Sequence, residues 1–315
     1  MRFLITGGAG FLGSALANRL VRDSHDVHVL DDLSNGEQRY LSSAVTFTQG
    51  DVDNIPLLWS LLRDVDCVYH LAARVSVAQS MLHPRDYNRA NVGGTVSLME
   101  AMRDTGVRRV VFTSSGAVYG RQSHQPVRES DLPRPDSPYA VSKWAAEQYI
   151  HTIGTLWQIE TVALRIFNAY GPRQSLPHSH APVVPRFLQQ ALTGGSVVIF
   201  GDGQQSRDFI YVGDVVDALV RAATATAVNR QVINIGSGVE TTIAALVDKI
   251  EEITGQRVNR IYNREKSGGV PRLVADVGRA QALLGFQPLT TLTNGLRLMR
   301  REDRRFGSES VMRET

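Results

Sequence analysis

Residues 3–20 read FLITGGAGFLGSALANRL. An apolar run ends at Thr6, glycines stand at 7, 10 and 13, and an amphipathic run of helix length begins at Phe11. Each glycine has a use. Gly7 permits a tight turn out of a strand, Gly10 lets main chain approach a pyrophosphate, and Gly13 lets the next helix pack on the strand. That helix N-terminus offers free N–H groups and a partial positive charge to phosphate. Glycines alone mark only a turn. A strand before them, a helix after them and an acid ending the second strand make a dinucleotide site. The acid is Asp31, whose carboxylate suits the ribose hydroxyls of NAD. Asp32 adds a second negative charge against a 2′-phosphate, and the nearest arginine is Arg39, so NAD is expected rather than NADP. An ordinary solvated turn in DDLSNG competes for Asp32. Phe11, Leu12 and Ser34 complete the expected cofactor contacts here.

Working outward, the first 165 residues alternate short β-rich runs with helix-length amphipathic runs. The expected strands are Arg2–Thr6, Asp26–Leu30, Val45–Thr48, Cys67–Leu71, Arg109–Thr113 and Thr161–Ile166. The expected helices are Phe11–Asp23, Ile55–Arg63, Asp86–Thr105 and Pro138–Trp157. Such alternation, with nearly continuous apolar strands, predicts an α/β fold whose doubly wound (Rossmann) parallel sheet is covered on both faces. Ser137 and Pro138 read as N-cap and first residue of a helix, which puts Tyr139 and Lys143 on one face. After Ile166 the elements shorten, and 171–185 reads as a proline-rich loop. The expected division is a cofactor-binding domain over 1–167, to which part of 208–236 returns, and a smaller, partly interleaved α/β substrate domain over 168–315.

The 315 residues carry 34 Lys+Arg against 31 Asp+Glu, a net +3, with 43% hydrophobic and 21% charged residues. These proportions exclude a disordered chain or a coiled coil. Three charges make too weak a field to call for nucleic acid. The single cysteine, Cys67, excludes an intramolecular disulfide, and its apolar surroundings mark it as a core thiol. No run approaches the ~20 apolar residues of a membrane span. The N-terminus faintly mimics a signal peptide, but glycines break its apolar stretch, so a cytoplasmic place is expected. His178 and His180 have metal-like spacing, yet no acid or cysteine accompanies them, so two solvated loop histidines and no metal are expected.

The glycine spacing, Asp51-Val52, His70-Leu71-Ala72-Ala73, the run Thr113–Gly120 and Tyr139-x-x-x-Lys143 together resemble the extended short-chain dehydrogenase/reductase family. So do Leu164–Pro172, Gly201–Phe209 and Asn234–Gly238. Nearly the whole chain is covered, with its motifs in order, and within the family the nucleotide-sugar epimerases are most similar. The resemblance implies that Asp51 and Val52 line the adenine and that Leu71, Ala72 and Ala73 run under the cofactor. It implies that Asn91 supports the nicotinamide end, and adds Ser114 and Phe167 as cofactor contacts. By themselves, Asp51 reads as a loop acid and Asn91 as a helix-surface residue.

The implied reaction takes hydride from C4 of a UDP-hexose or UDP-N-acetylhexosamine, lets the 4-keto sugar rotate, and returns the hydride to its other face. That needs a base near neutral pH and a donor for the developing carbonyl oxygen. Tyr139 is the base expected from the family. Lys143 and the positive nicotinamide would both favour its phenolate, bringing it to work near pH 7–8. Lys143 would also hold the nicotinamide ribose. Ser115, with Ser114 beside it, would bind the reacting oxygen. Alone, Tyr-x-x-x-Lys is only a helix face. Relatives that dehydrate the sugar carry an Asp-Glu pair in the loop after the serine position, where this chain has Gly116-Ala117-Val118.

On the substrate side the resemblance implies contacts from Ser76, Ser115, Asn168, Val183, Val198, Phe200, Arg207, Lys266, Arg272 and Leu273. Asn168 and Arg207 would hold the diphosphate, and Val198 and Phe200 the uracil; a surface salt bridge with Asp208 competes for Arg207. Lys266 stands where epimerases usually have arginine, and Gly269 replaces their acid, with Arg272 a candidate to compensate. Pro182 replaces an asparagine of some hexose epimerases, and Leu273 occupies a position that gates the 2-substituent. Asn168 and Ser175 weigh against a uronate. An NAD-dependent 4-keto-sugar reductase would use the same Ser115, Tyr139 and Lys143, and a non-catalytic NAD sensor is the third reading. In relatives the two long helices pair across a two-fold axis, so the resemblance implies a homodimer through Asp86–Thr105 and Pro138–Trp157.

Overall fold

The apolar run before the glycines becomes the hub of a sheet. The structure, a computed structural model, describes residues 1–177, 181–265 and 269–307. Its first strands are β1 (Arg2–Thr6), β2 (Asp26–Asp31), β3 (Thr46–Gln49), β4 (Cys67–His70), β5 (Arg109–Ser115) and β6 (Glu160–Ile166). Between them lie α1 (Phe11–Arg22), α2 (Ile55–Leu61), α3 (Val77–Leu82), α4 (Pro84–Tyr87), α5 (Gly94–Thr105) and α6 (Pro138–Trp157). The chain continues through β7 (Asn168–Tyr170), α7 (Val183–Leu192), β8 (Ser196–Phe200), β9 (Ser206–Tyr211), α8 (Val212–Thr224) and β10 (Gln231–Ile235). Last come β11 (Glu240–Thr242), α9 (Ile243–Thr254), β12 (Asn259–Asn263), β13 (Arg272–Leu273), α10 (Gly278–Leu284) and α11 (Leu292–Glu302).

Seven strands pair in parallel in the order β10-β6-β5-β4-β1-β2-β3. This is the expected doubly wound sheet, with β10 returning from the C-terminal half to extend it. The winding reverses between β1 and β4, and a crevice opens above their C-terminal ends. Alternate residues of each central strand serve opposite layers. Phe3 and Ile5 join the core under α1 and α8, while Leu4, Val110 and Phe112 join the core under α2, α5 and α6. Cys67 is fully buried. Among the described residues no helix is long and apolar enough to cross a membrane, and no group of three or more His, Cys, Asp or Glu is placed to hold a metal. His178 and His180 lie outside the described residues.

The smaller α/β part is built around β9, which pairs with β7 and β13 in parallel and β11 antiparallel, beside a separate β8–β12 pair. Buried Asp208 ties it together. Its Oδ1 accepts from the amide and hydroxyl of Ser237, both at 2.6 Å, and its Oδ2 from the amides of Gly238 at 2.9 Å and Ala275 at 3.1 Å.

Several expected elements change at their edges. The helix expected over Asp86–Thr105 is α4 and α5 joined by a wider turn of π geometry, Asn88–Gly93. This bulge turns Asn91 inward, a placement a regular helical pattern does not anticipate. The loop-like stretch before it contains α3, capped by Ser76 accepting from the Gln79 amide at 3.2 Å. The final helix stops at Glu302 because Asp303 instead caps a 3₁₀ turn over Arg304–Phe306.

Replacing Asp208 removes the acceptor of three amides, of which that of Ala275 is buried, that of Ser237 half-buried and that of Gly238 exposed. Water can replace the acceptor only for the exposed one, so Asp208→Ala should lower the free energy of unfolding by about 2–3 kcal/mol, read as an earlier midpoint in urea.

Candidate active site

The C-terminal ends of β1, β2, β4, β5 and β6 surround a cleft of about 680 Å³. At one end lies the glycine turn. Gly7 has φ +72°, and a Cβ there would stand 2.5 Å from the Ala72 amide nitrogen. A Cβ on Gly13 would stand 2.2 Å from the Gly7 carbonyl oxygen. Gly10 is the N-cap of α1 and supplies no side-chain cap, and no acid stands in the first turn, so the helix end faces the cleft uncompensated. Asp31 closes this end. Its Oδ2 accepts from the Ala9 amide at 2.9 Å and its Oδ1 from the Leu33 amide at 2.8 Å. Burial raises the pKa of this carboxyl, against the pull of the Leu33, Ala9 and Gly10 amides.

The residues expected at the cofactor gather on this wall. Gly7, Gly10, Phe11, Leu12, Gly13, Asp31, Asp32, Ser34, Asp51, Val52, Leu71, Ala72, Ala73, Ser114 and Phe167 all border the cleft. Asn91 does not. It stands behind the wall, its Oδ1 accepting from the Arg74 amide at 2.8 Å, its Nδ2 donating to the Arg74 carbonyl at 3.0 Å and to Ser142 Oγ at 2.8 Å. It therefore fixes the loop after β4 to α6 from behind the cleft wall.

At the other end Ser115, Tyr139 and Lys143 share the cleft with Asn168, Val183 and Leu273. The helix start at Ser137 holds, its hydroxyl accepting from the Ala140 amide at 3.2 Å. Ser115 hydrogen-bonds Tyr139, which draws the phenol's pKa down, but burial pushes it up and prevails, and Tyr87 adds to the rise. The phenolate expected near pH 7–8 with nicotinamide bound has to form against this burial. Lys143 is 2% exposed, its Nζ stands 4.4 Å from the Phe112 ring centre, and burial pushes its pKa down to about 7. Burial thus works against the charge expected to help Tyr139.

Ser114 also departs from expectation. Its hydroxyl donates to Glu147 Oε2 at 2.7 Å, so it points away from the reacting oxygen, and Ser115 alone of the pair bonds Tyr139. Glu147 was not anticipated. A carboxylate four residues after Lys143 looks like the solvated side of a helix, and the partner that lets it be buried, Arg165, comes from a distant strand. His70 was missed likewise. It bridges Thr6 Oγ1 at 2.7 Å and Thr95 Oγ1 at 2.9 Å, and burial holds its pKa down to about 3, so it is neutral.

Other substrate-side expectations are not gathered here. Ser76 caps α3, while its neighbours Val75 and Val77 border the cleft. Val198 and Phe200 lie on the face of β8 opposite buried Val197 and Ile199, outside the cleft wall. Arg207 donates to the carbonyls of Ser206 at 2.7 Å and Val270 at 2.6 Å, and Asp208 turns to Ser237, Gly238 and Ala275 instead of pairing with it. Arg272 forks onto Glu240 with two bonds of 2.7 Å, holding that carboxyl down at about 2, so it is engaged away from the cleft. Lys266 lies outside the described residues.

The sequence model of the NAD dependent epimerase/dehydratase family matches residues 3–236. A UDP-glucose 4-epimerase of Mycolicibacterium smegmatis is 40% identical over 303 residues, covering 94% of this chain and 96% of that protein. The crystal structure of a UDP-glucose 4-epimerase from Thermotoga maritima with UDP-glucose superposes with a TM-score of 0.91 at 34% identity, over 95% of this chain and 97% of that one. A UDP-glucose 4-epimerase from Thermus thermophilus in complex with NAD superposes at 0.88 and 33% identity, over 95% and 97%.

In protein stripped of NAD, Tyr139 should ionise only above the ordinary tyrosine value of ~10. An ultraviolet difference titration of wild type against Tyr139→Phe checks this. A Tyr139 phenolate signal below that pH would contradict it.

Proposed function

The chain belongs to the NAD dependent epimerase/dehydratase family, and from that premise we propose that it interconverts the C4 epimers of a UDP-linked hexose or N-acetylhexosamine. The observation that carries the reading is that Ser115, Tyr139 and Lys143 border the same cleft as the glycine turn and Asp31. The uncompensated end of α1 suits a pyrophosphate, and the carboxylate of Asp31 at the end of β2 suits a ribose diol. Bound there, NAD supplies the acceptor that takes hydride from C4 and gives it back. Tyr139 takes the O4 proton as that hydride leaves and returns it afterwards. Ser115 donates to the developing carbonyl oxygen, and Lys143 in its charged form favours the tyrosinate.

Gly116-Ala117-Val118 offers no carboxylate beside the reacting carbon, which supports epimerisation over dehydration. Asn168, Val183 and Leu273 shape the sugar-nucleotide side of the cleft. In this reading residues 1–167 with β10 serve the cofactor and the remainder of 168–315 serves the substrate. A cytoplasmic setting fits the lone buried thiol. We further propose a homodimer through α6 and its neighbours. Val141, Tyr149 and Leu156 are exposed along one side of α6, and Met81 and Leu82 on α3, an apolar surface suited to a second copy. Light scattering at micromolar concentration should give the mass of two chains, and a monomer mass would refute the pairing.

The decisive test is a panel of UDP-, dTDP- and GDP-sugars incubated without added cofactor, with C4 epimers resolved by chromatography. A UDP-sugar should equilibrate with its C4 epimer. Stoichiometric NADH release with no epimer would refute the reading. Tyr139→Phe should lower turnover ~10²–10⁴-fold, the usual worth of a positioned acid–base group, with NAD content near wild type. Lys143→Ala should lose both turnover and bound NAD.

A further inference from the structure

Beneath Ser115, Tyr139 and Lys143 lies a buried charged group that the reaction itself does not use. Glu147 on α6 has no exposed surface, and Arg165 on β6 is 3% exposed. Arg165 Nη2 donates to Glu147 Oε1 at 2.6 Å and its Nε to Oε2 at 3.1 Å, while Ser114 Oγ donates to the same Oε2 at 2.7 Å. Ser114 and Arg165 are also register partners on adjacent strands. One carboxylate thus joins β5, β6 and α6 directly under the cleft. Glu147 stands four residues after Lys143, so the two share a face of α6.

We propose that Glu147 is a positioning residue of the reaction, which ties down the Ser114 hydroxyl so that Ser115 faces the substrate oxygen, and supplies the negative charge that keeps Lys143 an ammonium. The proposal rests on the reading of the cleft given above. Two considerations support it. First, a buried ion pair contributes little to folding, because desolvation offsets its attraction, and apolar residues of similar volume often serve as well. Second, the charge balance around Lys143 leaves Glu147 as the counter-charge. Burial pushes the ammonium down to about 7, and Glu147 is the group that pushes it up. His70, facing from β4, is neutral. Tyr119, after β5, is pushed up to about 12, and Tyr87 of α4 and Tyr139 are also raised, so none is an anion near neutral pH. Arg165 is engaged with Glu147, Arg74 lies on the cleft wall, and Asp86 is exposed at its mouth.

The sign follows. An ammonium is lost as pH rises through its pKa, so neutralising Glu147 lowers that pKa and brings the loss to lower pH. A purely structural carboxylate would change stability and leave this titration where it was.

The chain contains three lysines, Lys143, Lys249 and Lys266. Protein labelled with ¹³C at lysine Cε therefore gives few resonances, and the one absent from Lys143→Met is Lys143. The variants are Glu147→Gln and the double replacement Glu147→Leu with Arg165→Met, which fills the space without a buried charge. In both, the Lys143 midpoint should fall by about one pH unit, the scale of a removed neighbouring charge. The alkaline limb of kcat should move the same way, and kcat at neutral pH should fall about tenfold or more. Should Glu147→Gln fail to fold, the double variant decides. A folded double variant with the wild-type Lys143 midpoint and the wild-type limb overturns the proposal. If the midpoint moves while wild type epimerises no sugar nucleotide, the link from Glu147 to Lys143 is supported and the reading of the cleft is what fails.

Discussion

A main chain can approach a diphosphate closely only where no side chain intervenes, and the rest of this molecule is arranged around meeting that condition between Gly7 and Gly13. The condition is met from two sides. α1 lies so near the end of β1 that a Cβ on Gly13 would overlap the Gly7 carbonyl, and β4 leaves so near it that a Cβ on Gly7 would overlap Ala72. The same few atoms recruit the acid and the closing loop. The Ala9 amide donates to Asp31, the Ala9 carbonyl accepts from Glu37 at 3.0 Å, and Gly36 packs on Ala9. Displacing the helix by a methyl group would move the phosphate end and the ribose acid together.

The opposite end of the cleft depends on a different physics. Tyr139 and Lys143 are taken out of water, which moves each pKa towards its neutral form. A low-dielectric site strengthens the charges placed there and penalises any left unpaired. The polar groups below are accordingly joined to partners: His70 to Thr6 and Thr95, Asn91 to Arg74 and Ser142, Glu147 to Ser114 and Arg165. These bonds connect β1, β4, β5 and β6 to α5, α6 and the bulge at Asn88–Gly93. The reacting end is therefore held by side chains of many elements, whereas the phosphate end is held by main chain.

This division explains what was legible in the sequence. Recognition by main chain leaves a local signature, so the glycines, Asp31 and the strand–helix alternation could be read directly, and α6 begins and ends at the expected residues. Tyr139 and Lys143 were legible only through the family resemblance, since by itself their spacing marks no more than a shared helix face. Glu147 and His70 were not, since a buried carboxylate is recognisable only once Arg165 arrives from β6, and a neutral histidine only once Thr6 and Thr95 flank it. Strands of two or three residues such as β7, β11 and β13 carry no periodicity, and they form because β9 offers them an edge. Ser114 was read as a second oxyanion donor from its place beside Ser115, but adjacent strand residues face opposite ways, and the Ser114 hydroxyl is engaged by Glu147.

The substrate side carries this furthest. Its frame depends on contacts between residues far apart in sequence, with Asp208 gathering Ser237, Gly238 and Ala275 and Glu240 gathering Ser206 and Arg272. Of the residues that border the cleft there, Ser175, Pro182 and Val183 take no part in those bonds, whereas Asn168 donates to the Asp208 carbonyl at 3.2 Å and Leu273 lies on β13 beside β9. Part of the lining is thus separable from the frame. A change at Ser175, Pro182 or Val183 alters the shape offered to a sugar without breaking the bonds that hold β9, and without reaching Ser115, Tyr139 or Lys143, which are fixed from β5 and α6. A family built this way can keep one hydride chemistry while its members accept different sugars, because the two ends of the cleft are held by different sets of bonds.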